Sequence, residues 1–217
     1  MTKNIQVIEK IFSANDRIAA ENRIIFDTAR VTALNLMASP GAGKTSLIER
    51  TVTQLKPMLN LAVIDGDIAT TLDADRAAAA GAIAIQINTG GECHLDAVMI
   101  NSALKQIDLA GIDLVIIENV GNLVCPASFQ LGTHKSILIA SIPEGDDKPY
   151  KYPGMYRGVD ALVINKIDLL PYVSFNMDFF QKGVEILNPG LESFPLSCKT
   201  GEGFVAWINW IKRNVTK

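Results

Sequence analysis

Several groups of residues in this 217-residue chain have the types and spacing to do chemistry. The first is the run Ala38-Ser39-Pro40-Gly41-Ala42-Gly43-Lys44-Thr45-Ser46. Gly41, Ala42 and Gly43 are small enough for backbone N–H groups to close around phosphate oxygens. Lys44 brings a positive charge for the outer phosphates, and the Thr45 hydroxyl can complete the shell of a Mg²⁺ ion. Ser46 joins them as a nucleotide contact at the start of a helix, whose positive dipole end favours the anion. The full phosphate-loop pattern has glycine five positions before Gly43, where this chain has Ala38. A methyl group there is tolerable if φ stays negative.

The second group is acidic. IDGDIATTLDADR supplies Asp65, Asp67, Asp73 and Asp75, and DLVIIENVGN supplies Glu118. That many carboxylates beside a triphosphate would repel it unless a cation intervened. Asp67 is the preferred Mg²⁺ ligand, with Asp73, Asp75 and Glu118 beside it. Solvated helix-capping is the competing role for Asp73 and Asp75. Lys44, Glu118 and Asp67 are the candidate catalytic residues, and the Gly121 N–H can meet the γ-phosphate.

The third group, Asn165-Lys166-Ile167-Asp168, can read a base. A carboxylate at Asp168 accepts from the N1–H and exocyclic amine of guanine, whereas adenine has an unprotonated N1 and lacks that amine. Polar discrimination of this kind reaches roughly 10⁴–10⁵-fold. Lys166 can lay its stem on the ring, and Asn165 can tie this loop to the phosphate loop. In SCKTGEG the backbone N–H of Cys198 or Lys199 falls near guanine O6, and the Cys198 thiol itself reads as a small buried group.

The fourth group is soft. Cys93 and His94 stand together in GGECH, and Cys125 follows in ENVGNLVCP. The pair alone reads as packing, but with Cys125 it reads as a metal site. Thiolate and imidazole suit Zn²⁺ or Ni²⁺ and not Mg²⁺. Three ligands are one short of a closed tetrahedral site, so water or a second subunit across a two-fold axis would fill the gap. His134 has no cysteine near it and reads as structural.

These residues need a frame to bring them together. Short apolar runs at 33–38, 61–64, 82–87, 113–118, 136–142 and 161–165 alternate with helical stretches such as TSLIERTVTQL, HLDAVMINSALKQ and FVAWINWIKR. Apolar runs without in/out alternation imply strands buried on both faces. The alternation predicts a three-layer α/β fold of the phosphate-loop NTPase type, a mostly parallel sheet between helices. In such sheets ligands sit beyond the carboxyl ends of the strands, where all four groups lie. The third strand is expected beside the fourth, bringing Cys93 and His94 to Cys125. Residues 1–30 read as an appendage of one or two amphipathic helices, with Ile5, Ile8, Ile11 and Phe12 on one stripe. Residues 31–217 read as the nucleotide-binding domain.

Composition narrows the classes further. The net charge is −3 and no Lys/Arg run stands out, so nothing electrostatic argues for nucleic acid. No apolar run is long enough to span a membrane. Three cysteines are unlike a disulfide scaffold, and a reducing cytoplasm is the expected location.

The segments LNLMASPGAGKTSL, GDIATTLDADR, GGECHLDA, IENVGNLVCPASFQLG, EGDDKPYKYP and NKIDLLPY together resemble the HypB family of hydrogenase nickel-incorporation GTPases. The resemblance implies GTP/GDP and Mg²⁺ as cofactors and a homodimer, promoted by GTP, that closes through the nucleotide face. It implies that Cys93, His94 and Cys125 bind Ni²⁺ or Zn²⁺ at that interface. Its partners would be a HypA-like nickel-binding accessory protein and a [NiFe]-hydrogenase large-subunit precursor. No glutamine stands in the usual switch place, so hydrolysis is expected to be slow without a partner. The alternatives are a urease-type metal-delivery GTPase, whose relatives carry Cys-Pro-His together, and a metal-binding scaffold using GTP only to dimerise. A small-molecule kinase would usually need adenine, which Asp168 disfavours.

Overall fold

The computed structural model describes residues 7–67 and 71–215, with side chains from residue 13 onward. The chain begins with α1 (Val7–Ala29), β1 (Thr32–Ala38), α2 (Lys44–Leu55), β2 (Leu61–Asp67), α3 (Leu72–Ala80) and β3 (Ile83–Asn88). It continues through α4 (Ala97–Leu104), β4 (Leu114–Glu118), β5 (Lys135–Ser141), α5 (Lys148–Lys151) and α6 (Pro153–Arg157). It ends with β6 (Ala161–Asn165), α7 (Met177–Leu187), β7 (Ser193–Pro195) and α8 (Phe204–Asn214). The strands form one seven-stranded sheet in the order β3-β2-β4-β1-β5-β6-β7, with every pairing parallel.

Helices cover both faces, which is why β1, β4 and β6 are buried along their whole length and need no alternation. On one face α2 and α8 pack over the sheet, with Trp207 stacked on Trp210 and its indole N–H donating to Thr51 Oγ1 at 2.9 Å. On the other, α1 and α4 bury Phe26 with Ile100 and Leu104, while Met155, Tyr156 and Phe180 cover β5 and β6.

Three expectations from sequence change here. The third and fourth strands are not neighbours, because β2 lies between them. The apolar run at 82–87 is not buried on both faces either: β3 is the sheet edge, and its residues are half-buried or exposed. His94 precedes α4 instead of opening it. Asp96 takes an extended conformation and caps the helix, its Oδ1 accepting from Met99 N at 2.8 Å.

Among the described residues the amino-terminal region forms one continuous helix, α1. The side chains of the stripe Ile5, Ile8, Ile11 and Phe12 lie outside the described residues. Further along, α1 seats on the body through buried polar contacts. Asn22 Nδ2 donates to Ala97 O at 2.9 Å and Leu131 O at 3.1 Å. Gly132, at φ +90°, passes so close that a Cβ would fall 2.3 Å from Ala19 O. His134 serves this seam: Nδ1 accepts from Ala33 N at 2.9 Å, and Nε2 lies 2.9 Å from Asp27 Oδ1. No described helix is long and apolar enough to cross a membrane.

Candidate functional site

The exit of β1 is a loop held in shape by its own glycines and by neighbouring side chains. Ala38 is fully buried, and the described non-glycine residues with positive φ are Arg30 and Lys166, so Ala38 meets the condition its methyl imposes. Gly41 and Gly43 turn the chain at φ +76° and +101°. A Cβ on Gly43 would fall 2.4 Å from Asn165 Nδ2, so only glycine fits. Asn165 Nδ2 donates to Ala42 O at 2.9 Å, and Lys166 Nζ donates to Gly41 O at 2.6 Å. A further tie comes from Glu144, which accepts from Ser39 Oγ with one oxygen and from Ser141 N and Oγ, each at 2.7 Å, with the other. Burial raises the Glu144 carboxyl above its ordinary range.

Beside this loop lies a cavity of about 370 Å³ bounded by Gly43, Ser46, Lys166, Asp168, Cys198 and Lys199. Its acidic wall is organised by Ser197, whose Oγ donates to Asp168 Oδ1 at 2.6 Å. Ser197 Oγ in turn accepts from Lys199 N at 3.2 Å and Thr200 N at 3.1 Å. Asn165 Oδ1 accepts from Lys166 N at 2.7 Å and Cys198 N at 3.2 Å, so one side chain joins all three loops. Burial pushes the Cys198 thiol up to about 11, as expected of an inert packed group.

The acidic residues divide. Asp65, Asp73 and Glu118 bring oxygens within 4.8 Å of one another, and the Thr45 hydroxyl donates to Glu118 Oε1 at 2.9 Å. Asp67, the residue favoured from sequence, is not in that group, and Asp65 is. The cause is register: Asp65 pairs with Glu118, whereas Asp67 pairs with Asn88 beyond the end of β4. Asp75 is not in the group either; it accepts from Thr71 Oγ1 at 3.1 Å at the start of α3. Burial raises Glu118 to about 8 against the opposing charge of Lys44. Burial, then the charges of Asp73 and Asp67, raise Asp65 to about 7. Among the described residues, Asp65 Oδ2 is buried with no hydrogen-bond partner. Hard oxygens, excess negative charge and an orphaned buried acceptor fit a Mg²⁺ ion.

The soft residues also converge. The Sγ atoms of Cys93 and Cys125 lie 3.0 Å apart, His94 Nδ1 is 3.8 Å from Cys93 Sγ, and the three offer ligand atoms within 4.8 Å of one another. All three are half-buried and both cysteines are free thiols. The His94 ring stacks on Phe129 at 3.8 Å between centroids. Asn122 braces the cluster, with Nδ2 donating to Cys93 O at 3.3 Å and Oδ1 accepting from Val124 N at 2.8 Å. The hydrogen bond with Cys93, then burial, then repulsion between the two sulfurs raise the Cys125 thiol above its ordinary value. Such a donor set suits a borderline-soft divalent ion.

Sequence reasoning did not pick out Glu144 or Ser197. Ser197 had a local signal as the first residue of SCKTGEG; Glu144 sat in EGDDKPYKYP without an assigned function.

Residues 32–195 match the model of the CobW/HypB/UreG nucleotide-binding domain. The hydrogenase maturation factor HypB of Rhizobium leguminosarum bv. viciae is 47% identical over 208 residues, covering 96% of this chain and 70% of that protein. Its counterpart in Escherichia coli K12 is 43% identical, covering 96% and 72%. Among solved structures, HypB from Archaeoglobus fulgidus superposes with TM-score 0.87 at 37% identity, covering 93% of this chain and 98% of that one. HypB from Helicobacter pylori, in complex with nickel, gives TM-score 0.88 at 36% identity over 94% and 98%. The chain belongs to the CobW/HypB/UreG family of nucleotide-binding proteins, on its HypB branch.

Proposed function

We propose that the chain is a GTPase that couples hydrolysis to nickel delivery during [NiFe]-hydrogenase maturation. One observation carries the reading: a hard acidic cluster and a soft thiol–imidazole cluster stand on adjoining strand exits beside one phosphate loop. The names of the relatives and the nickel held by the Helicobacter pylori protein support the same reading.

In this proposal Gly41 to Ser46 cradle the phosphates, and Lys44 neutralises the outer ones. Asp168 reads guanine, with Asn165, Lys166, Cys198 and Lys199 shaping the pocket around it. Thr45, Asp65, Asp73 and Glu118 hold Mg²⁺, and Asp67 adds charge beside them. When bound, Mg²⁺ supplies compensation for the charge on the β- and γ-phosphates. Gly121 packs against the phosphate loop, where a Cβ would fall 3.1 Å from Pro40 and 3.3 Å from Lys44 Nζ, and in this proposal its N–H meets the γ-phosphate.

Ni²⁺ is cargo, held by Cys93, His94 and Cys125 with the remaining position open to water or a second copy of the chain. Zn²⁺ would fit the same donors. GTP would close a homodimer over that metal, with α1 as a support docked on the domain of residues 31–217. Hydrolysis would release nickel to a HypA-like accessory protein or a hydrogenase large-subunit precursor. The test is nickel transfer from the loaded protein to a chromophoric chelator under GTP, GDP and a non-hydrolysable analogue. Transfer should accelerate only as GTP is hydrolysed; equal rates with GTP and the analogue contradict the coupling.

A further inference from the structure

Leu95 follows His94 directly and is fully buried. Its backbone N–H donates to Asn119 Oδ1 at 3.0 Å, and its side chain lies over Gly66, where a Cβ would fall 2.7 Å from Leu95 Cγ and Cδ1. These two seats are not arbitrary neighbours. Gly66 follows Asp65, Asn119 follows Glu118, and Asp65 and Glu118 pair in the register of β2 and β4. The residue after the soft ligand pair therefore rests on the residues after the two central acids.

We infer that the seat of Leu95 on Gly66 and Asn119 is the positioning link between the acidic cluster and Cys93-His94. The inference rests on the proposed reading that both clusters take cations. Each acid shares a rigid peptide plane with the residue that carries Leu95, so a backbone displacement at Asp65 or Glu118 moves the seat. The seat cannot yield quietly. Asn119 is fully buried, its Oδ1 also accepts from Val120 N at 2.9 Å, and its Nδ2 donates to Asn35 Oδ1 at 3.3 Å in β1. A buried Leu95 N–H must keep a partner, and the close-packed Leu95 side chain has no void beside Gly66. Movement at the acids is therefore passed to the backbone of His94 and Cys93. The passage between strand exits also explains how a loop leaving β3 crosses the end of β2 to reach Cys125: Gly66 makes the space.

The experiment measures Ni²⁺ affinity of the full chain with Mg²⁺ alone and with Mg²⁺ plus a non-hydrolysable GTP analogue. It compares the wild type with Asn119→Ser, which is too short to reach Leu95 N, and Leu95→Ala, which keeps the N–H but loses the contact with Gly66. The wild-type affinities should differ by roughly 5–150-fold, the usual range of linkage between two sites. In each variant that ratio should fall to within about twofold of unity while Ni²⁺ and the analogue each still bind. Variants that keep the wild-type ratio overturn the link and leave both cation sites standing. A wild-type ratio of unity overturns the link together with the coupled reading. Mass in solution is followed alongside, and a ratio lost only through failure to dimerise counts against the link. If Asn119→Ser does not fold, Leu95→Ala decides by the same ratio.

Discussion

The two halves of the strand-end face are built in opposite ways. Around β1 and β6 side chains tie the loops to one another: Asn165 joins three loops, Lys166 reaches Gly41, and Ser197 bridges Asp168 to the backbone. Around β2 and β4 the groups repel one another. Asp65, Asp73 and Glu118 crowd together, one buried Asp65 oxygen has no partner among the described residues, and two free thiols touch. The first half is preorganised, so its contribution to binding is shape and hydrogen-bond pattern. In the proposed function the second is completed by cations, so it is where occupancy would change the protein. On that reading, recognition and switching are separated within one site.

That contrast can be broken most severely in the preorganised half. Asp168→Asn should weaken GTP binding by about 10²–10⁴-fold, from two charge-assisted hydrogen bonds worth roughly 1.5–3 kcal/mol each. The same variant should bind xanthine nucleotide better, because an amide donates to the 2-oxo group. Equilibrium titration with both nucleotides checks this, and unchanged GTP affinity would show that the cavity beside Gly43 does not read the base. In the cation-completed half, Cys93→Ala, His94→Ala and Cys125→Ala should each weaken Ni²⁺ binding by at least about 100-fold. Even residues behind a metal ligand cost 10–100-fold, so a ligand should cost more. His134→Ala should leave Ni²⁺ binding within about twofold by calorimetry, since its contacts are to Ala33 and Asp27.

The smallest effect has the more telling sign. Well above its raised value of about 7, Asp65→Asn removes a buried charge from between like charges, so in that pH range the protein without cations should gain about 1–2 kcal/mol of stability in chemical denaturation with chelator present. Magnesium-dependent strengthening of GTP binding should fall in the same variant. A protein that loses stability on this substitution would show that Asp65 is already satisfied without a cation.

Much of this face was legible in sequence because its motifs carry their own geometry. The run from Ala38 to Ser46 and the run from Asn165 to Asp168 each need only a strand before them, and the apolar stretches supplied those strands. What stayed hidden depended on relations between distant strands. Choosing Asp65 over Asp67 requires the register of β2 on β4, since both residues fall on the same face of the strand. The position of β2 between β3 and β4 was equally silent, because Gly66 signals a close approach without saying of what. The apolar stretch of β3 looked like its buried siblings, and nothing local marks a sheet edge. The brace from Glu144 to Ser39 spans more than a hundred residues, beyond any local pattern.

The central claim is that the two clusters are cation sites of different hardness at one nucleotide face. The most direct measurement is Ni²⁺ titration of the full chain under saturating Mg²⁺ and GTP analogue, followed by near-ultraviolet thiolate-to-nickel absorbance. The account predicts that the band appears at low Ni²⁺, persists in excess Mg²⁺, and disappears in Cys93→Ala and Cys125→Ala but not in Asp65→Asn. A band that excess Mg²⁺ erases, or that survives the loss of both cysteines, would contradict it.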